Sequence, residues 1–140
     1  MKQRILKQHV AEEFLIAPLC KVLVVDSDEP DLQYHSQILQ AQGHQAFACP
    51  SYSLGGRLAG SDDFDLVVVC QGGPAFEGKI VIEKLRERNP AAPFVVLARS
   101  KEMVCYLEAM QLGAVDYLEK PVHPAEMRRV LRRSLQPALT

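Results

Sequence analysis

Cys70 ends the most apolar run of the chain, Leu66-Val67-Val68-Val69, and Gln71-Gly72-Gly73-Pro74 follows at once. Four consecutive apolar residues with no polar partner between them read as a strand buried on both faces, the kind that parallel sheets use. Gly72, Gly73 and Pro74 force a loop before helical spacing resumes over Lys79 to Arg88. In open α/β folds the loop beyond the carboxyl end of a central strand is where ligands bind, so Cys70 stands where such a fold places a reactive group. A thiol there is either a nucleophile or redox sensor or a small hydrophobe closing the strand. Two other polar clusters follow strand-like segments: Asp26-Ser27-Asp28 after the apolar run Val22 to Val25, and Lys120-Pro121 after a fifth strand, Val115 to Leu118. Carboxylates so placed either contribute to a site for a hard divalent cation or cap the helix that follows.

The elements needed to position these residues alternate regularly. Val22 to Val25 reads as a buried strand and Asp26 to Pro30 as a turn. Asp31 to Gln42 reads as a helix with Leu32, Ile38 and Leu39 inward, stopped by Gly43. His44 to Cys49 is a shorter strand around Phe47. Pro50 to Gly60 is a weak helix, because its Gly55-Gly56 pair costs about 2 kcal/mol in helix propensity relative to alanine; a short or frayed element is expected. Lys79 to Arg88 turns Val81, Ile82 and Leu85 to one face, and Pro90 and Pro93 bracket the turn into a fourth strand, Phe94 to Leu97. Lys101 to Leu112 is helical, with Met103, Leu107 and Met110 as its apolar stripe and Gly113 after it. Pro124 is well placed to open a last helix with Met127, Val130, Leu131 and Leu135 inward. Strands alternating with helices in this way give repeated βαβ units, right-handed crossovers and a three-layer α/β sandwich around a parallel sheet.

Composition narrows the class. A chain of 140 residues, 48% hydrophobic, suits one domain with a real core. A formal net charge of -1 provides no overall field for nucleic acid or an acidic membrane. The four cysteines, Cys20, Cys49, Cys70 and Cys105, are far apart and show no CxxC spacing. That pattern suits a reduced, cytoplasmic chain rather than a disulfide framework or zinc site, with Cys49 and Cys105 as core fillers. The opening MKQRILKQHVAEEFLIAPLC is interrupted by His9, Glu12 and Glu13, so it lacks the apolar segment of a signal peptide, and no run is long enough to span a membrane. Residues 1 to 16 carry Ile5, Val10, Phe14 and Leu15 among charges and read as an amphipathic helix. Residues 1–19 are therefore an extension, 20–136 the folded domain and 137–140 a tail. The extension either packs on its own domain or serves as a dimerisation or partner helix. Neither GxGxxG nor GxxxxGK[ST] follows any strand, which argues against a dinucleotide or P-loop site.

Residues 20 to 136 resemble a two-component response-regulator receiver domain. The motifs that carry the resemblance are KVLVVDSDEP at the first strand, FDLVVVCQGGPAFEG at the third and GAVDYLEKPVHP at the fifth, in that order and spacing. The resemblance implies a flavodoxin-like, doubly wound five-stranded parallel sheet of order 2-1-3-4-5 with a pocket at its carboxyl edge. In that pocket an acidic pair holds magnesium, a third-strand aspartate accepts a phosphoryl group from a histidine kinase, and a lysine contacts that group. In this chain Asp26 matches the first acid of the pair, but Ser27 stands at the second. Cys70 stands at the phosphoacceptor position, and Ala98 where a Ser or Thr would bond the phosphoryl group. Lys120, the following Pro121 (cis in the family) and Tyr117, at the switch-aromatic position, are kept.

The losses fall on the chemistry. Magnesium requires near-octahedral oxygen ligation, and Ser27 and Cys70 remove two hard anionic ligands. Asp26 and Asp28 are the remaining carboxylates, with Asp28 one residue too far along. An acyl phosphate needs a carboxylate nucleophile, which Cys70 does not provide, and Ala98 has no hydroxyl to couple the site to Tyr117. No cofactor and no catalysis are expected, there being no nucleophile-base pair or metal cluster. Lys120 then either pairs with Asp26 as a structural ion pair or binds a ligand, and Tyr117 is either a half-buried aromatic or a switch. The expected function is that of an atypical receiver in a bacterial-type two-component system, a phosphorylation-independent interaction module. Its partners would be a kinase, an effector domain or another receiver, with homodimers through the fourth helix, fifth strand and fifth helix or through the extension. Arg128, Arg129, Arg132 and Arg133 on that face are either a solvated helix surface or the contact for an acidic partner. Two alternatives stand beside this: a redox sensor using Cys70, and a conventional phosphorelay receiver with residual metal or phosphate binding. No helix-turn-helix pattern follows, so DNA binding by this domain is not expected, nor is a membrane contact.

Overall fold

In the computed structural model, which describes residues 20–135, strands and helices alternate without exception. They run β1 (Lys21–Val25), α1 (Glu29–Ala41), β2 (Gln45–Cys49), α2 (Tyr52–Ser61), β3 (Leu66–Cys70), α3 (Lys79–Arg88), β4 (Phe94–Ala98), α4 (Met103–Gln111), β5 (Asp116–Glu119) and α5 (Pro124–Leu135). The five strands form one parallel sheet in the order β2-β1-β3-β4-β5. The expected doubly wound order is thus the one adopted. The amphipathic helix expected over residues 1 to 16 and the tail over 137–140 lie outside the described residues.

Alternation along each strand divides the core. Leu23, Val25, Val67, Val69 and Val96 point to one face of the sheet and pack with Ala59 of α2, Val81, Ile82 and Leu85 of α3, and Cys105 and Ala109 of α4. Val22, Val24, Leu66, Val68, Val95 and Leu97 point to the other, where Leu32 and Leu39 of α1 and Met127, Val130 and Leu131 of α5 cover them. β3 and β4 are buried at every position, as central parallel strands should be.

The structure corrects the sequence reading at three elements. α1 begins at Glu29, with Pro30 in its first turn, because Asp28 serves as its N-cap and accepts the Asp31 N–H. α2 is a full ten-residue helix, neither short nor frayed. Its glycines are packing residues: a Cβ on Gly55 would lie 2.8 Å from both Val25 methyls, and Gly56 sits against Lys84 and Ile80 of α3. Close approach to sheet and neighbour offsets the propensity cost. On α4 an apolar stripe at helical spacing would ordinarily face the core, yet Met103, Leu107 and Met110 face solvent and the small residues Cys105 and Ala109 face the sheet. Tyr106 of the same helix also turns inward and meets the Tyr117 ring edge-on at 5.5 Å, so α4 seats on the sheet through Cys105, Tyr106 and Ala109.

Candidate functional site

The parallel register brings the strand ends to one edge. Asp26 follows β1, Cys70 ends β3, Ala98 ends β4 and Lys120 follows β5. The ladder is continued past the strands by Asp26 N–H donating to Cys49 O at 3.1 Å, Gln71 N–H to Leu97 O at 2.7 Å and Lys120 N–H to Ala98 O at 2.8 Å. The Lys120–Pro121 peptide is cis. Gly78, before α3, lies so close to the end of β3 that a Cβ there would stand 2.1 Å from the Cys70 carbonyl oxygen.

Lys120 is the centre of this edge. Its Nζ lies 2.8 Å from Asp26 Oδ2 and 2.9 Å from Asp31 Oδ2. Burial works against the ammonium, but hydrogen bonds to the two carboxylates, with Cys70 alongside, more than offset it and hold Lys120 above the ordinary lysine value. Asp31 shows the mirror of this. Burial pushes its carboxyl up, and Lys120 and Arg99 together bring it below the usual aspartate value. Asp26 Oδ1 accepts the Asp28 N–H at 3.0 Å, and Asp28 Oδ1 accepts the Asp31 N–H at 3.0 Å. Arg99, from the β4–α4 loop, donates one guanidinium nitrogen to Asp31 Oδ2 at 2.5 Å and to Asp28 Oδ2 at 3.2 Å. Three carboxylates (Asp26, Asp28, Asp31) against two cations (Lys120, Arg99) leave one net negative charge. It sits at the N-terminus of α1, where the helix dipole favours it.

Cys70 is buried, and its Sγ accepts the Gly72 N–H at 3.4 Å. Over it lies Tyr52, at the start of α2, whose hydroxyl is buried without a hydrogen-bond partner and has Ser27 and Cys70 as polar neighbours. Burial, reinforced by Cys70, pushes the Tyr52 phenol up to about 12 despite Ser27. Ser27 itself is exposed. Ala98 is buried in the core cluster and Tyr117 is turned inward. The Tyr117 hydroxyl donates to the Gln71 side-chain carbonyl and accepts the Glu102 N–H at 3.3 Å. Gln71 is itself buried, with its amide nitrogen on Gly73 O at 3.3 Å.

Known proteins share the sequence pattern and the fold that build this edge. The model of the response regulator receiver domain matches residues 22–132. The chain belongs to the response-regulator receiver family. Among curated relatives of this receiver domain, the photosynthetic apparatus regulatory protein RegA of Rhodovulum sulfidophilum is 29% identical over 120 residues, covering 86% of this chain and 66% of that protein. The transcriptional regulatory protein PcoR of Escherichia coli is 28% identical over 124 residues, covering 86% of this chain and 55% of that protein. The chain thus spans between half and two thirds of the length of these relatives. The receiver domain (CheY-like) of Methanospirillum hungatei has the same fold, with a TM-score of 0.77 at 23% identity over 85% of this chain and 95% of that one.

The receiver family implies a magnesium ion in the acidic pocket, and the residues present here do not fit it. Both oxygens of Asp26, both of Asp28 and Oδ2 of Asp31 already have donors from the protein itself. Ser27 offers no carboxylate, and Cys70 offers sulfur to an ion that selects oxygen. Among the described residues no group of His, Cys, Asp and Glu has the arrangement of a metal site.

Of the residues singled out from sequence, Asp26, Asp28, Cys70 and Lys120 meet at this edge, while Ala98 and Tyr117 lie just beneath it in the core. All four arginines of α5 are exposed. Arg133 is tied to β5, through Asp116 at 3.0 Å and Val115 O at 2.9 Å, and Arg129 reaches Glu126 at 3.7 Å. Asp31, Arg99, Tyr52, Gln71 and His35 were not anticipated. His35 is buried: its Nδ1 meets Asp31 O at 2.8 Å and its Nε2 accepts the Val122 N–H at 3.1 Å, joining α1 to the loop after Pro121. Only Gln71 left a signal in the sequence, as a polar side chain directly after a fully buried strand, where it must find a partner.

Proposed function

We propose that this receiver domain is a protein-interaction and regulatory module whose binding surface is set without phosphorylation. The observation that carries the reading is the outer face of α4. Met103, Val104, Leu107 and Met110 are 61%, 75%, 51% and 39% exposed and form one continuous apolar strip. Contiguous apolar surface of this kind marks a protein interface more often than chance. The strip borders β5, the edge strand of the sheet, and α5 with Arg128, Arg129, Arg132 and Arg133 lies on the other side of that strand. An apolar centre with a basic margin suits a protein partner with an acidic rim, such as a kinase, an effector domain or another receiver.

Independence from phosphorylation is supported by the pocket. Cys70 supplies no carboxylate, Ala98 supplies no hydroxyl, and Tyr117 already has hydrogen-bond partners in Gln71 and the Glu102 N–H. A surface that rests on permanent side-chain contacts has no need of a covalent trigger.

The test joins two measurements on the same protein. Backbone NMR with magnesium and beryllofluoride, and incubation with acetyl phosphate, should leave Asp26, Cys70 and Lys120 unshifted and the chain unlabelled. Sedimentation should show an association, with itself or with a cognate kinase or effector, that Leu107→Glu abolishes without phosphoryl donor present. Phosphoryl uptake or saturable beryllofluoride shifts would overturn the phosphorylation-independent reading. An association that Leu107→Glu leaves unchanged would overturn the surface.

A further inference from the structure

Asp28 Oδ2 and Asp31 Oδ2 converge on a single nitrogen of Arg99, a residue 71 and 68 positions away along the chain. Two carboxylate oxygens aimed at one point are the protein ligands with which a hard divalent cation is commonly held, water supplying the rest, and here the point is taken by a guanidinium. Arg99 is the first residue after β4, so its backbone is fixed by the sheet while its side chain reaches across the end of β3 to the start of α1. Lys120 occupies the inner side of the same cluster, on Asp26 and Asp31. Between them the two side chains face every carboxylate of the pocket.

We propose that Arg99 is the resident cation of this pocket: it balances Asp28 and Asp31 in place of a divalent ion and thereby keeps such an ion out. With Ser27 and Cys70 standing where carboxylates would bind, the attraction for a metal is lowered, and Arg99 cancels much of what remains. The guanidinium does this through one nitrogen, whose two N–H bonds serve the two carboxylates. Arg99 also joins the loop that leads into α4 to the N-terminus of α1, so the pocket and the α4 segment are connected by an ion pair. Since its side chain is 66% exposed, the pair is sensitive to ionic strength. The inference is independent of the interaction role of α4, and either can fail without the other.

The probe is manganese, whose paramagnetism broadens the amide signals of residues near it. Wild-type protein and Arg99→Lys, which keeps the charge, should show no saturable broadening when titrated with MnCl2. Arg99→Gln, at a side chain 66% exposed, should bind manganese about tenfold more tightly or better once the charge is removed, with broadening centred on Asp28 and Asp31. Adding Asp31→Asn to Arg99→Gln should abolish that gain. Equal manganese binding by wild type and Arg99→Gln would overturn the proposal, as would an Arg99→Gln protein that gains none.

Discussion

Lys120 Nζ lies 2.8 Å from Asp26 Oδ2, and both side chains are only 4% exposed. A pair this deeply buried is costly to break on one side, because the charge left behind has no water to turn to. Lys120→Met should lower unfolding free energy by about 3–5 kcal/mol, measured by urea denaturation at neutral pH. The double variant Asp26→Asn with Lys120→Met should recover a good part of the loss. A single-variant cost below about 1 kcal/mol would place the pair among ordinary surface ion pairs.

His35 makes stability depend on pH. Burial holds its imidazole below the ordinary value of 6.5, against the opposing pull of Asp31 and Asp26 and with the help of Lys120. Its two ring nitrogens are used by Asp31 O and the Val122 N–H, a pattern that only the neutral ring satisfies. The unfolded chain therefore takes up a proton before the folded one does. Stability is complete above pH 6.5 and falls as pH drops from there toward the folded value. Denaturation midpoints between pH 8 and pH 5 should show this fall, roughly the span over which an ordinary histidine titrates. His35→Gln should flatten the dependence while costing about 1–3 kcal/mol at neutral pH through its imperfect replacement of two buried bonds.

The glycines of α2 should respond in opposite directions. Gly55→Ala places a methyl 2.8 Å from both Val25 methyl groups and should destabilise the fold by about 1–3 kcal/mol. Gly60→Ala meets nothing closer than Lys84 Cβ at 3.6 Å, so the gain in helix propensity should show as a stabilisation of up to about 1 kcal/mol. Thermal melting of the two variants separates packing from propensity; equal shifts would show that α2 does not seat on the sheet through Gly55.

Gln71 holds Tyr117 inward, and Gln71→Leu should release it. The tyrosine hydroxyl would be left buried with only the Glu102 N–H, at a cost of about 1–3 kcal/mol. In protein labelled with fluorotyrosine, the Tyr117 signal should move toward its solvent-exposed position, and the Glu102 amide should exchange faster. An unchanged Tyr117 signal would mean that Tyr106, stacked edge-on at 5.5 Å, and the surrounding core hold the ring unaided.

Most of the scaffold was legible in the chain, since strand and helix type follow from local patterning. Val67, Val68 and Val69, β-branched and bounded by turn residues, read as a doubly buried strand, and Val81, Ile82 and Leu85 fall on one side of a helix. Where local rules erred, a neighbour had overridden them. Gly55 and Gly56 look like helix breakers until Val25 and Lys84 are set beside them. The Met103, Leu107 and Met110 stripe looks like a core face until Cys105, Tyr106 and Ala109 are seen to take the inward side against the sheet and Tyr117. Nothing within the helix itself distinguishes a stripe turned to the core from one turned to a partner.

The pocket divides along the same line. By itself the sequence determined what the edge lacks: a carboxylate at Cys70 and Ser27 and a hydroxyl at Ala98, all matters of side-chain identity. The tertiary structure alone decided what fills it. Asp31 and Arg99 are 68 residues apart, Tyr117 and Gln71 are 46 apart, and Val122 and His35 are 87 apart. Each pair meets only because parallel strands deliver their ends to one edge of the sheet, and which donors then satisfy which buried acceptors is settled by distances that no local pattern encodes.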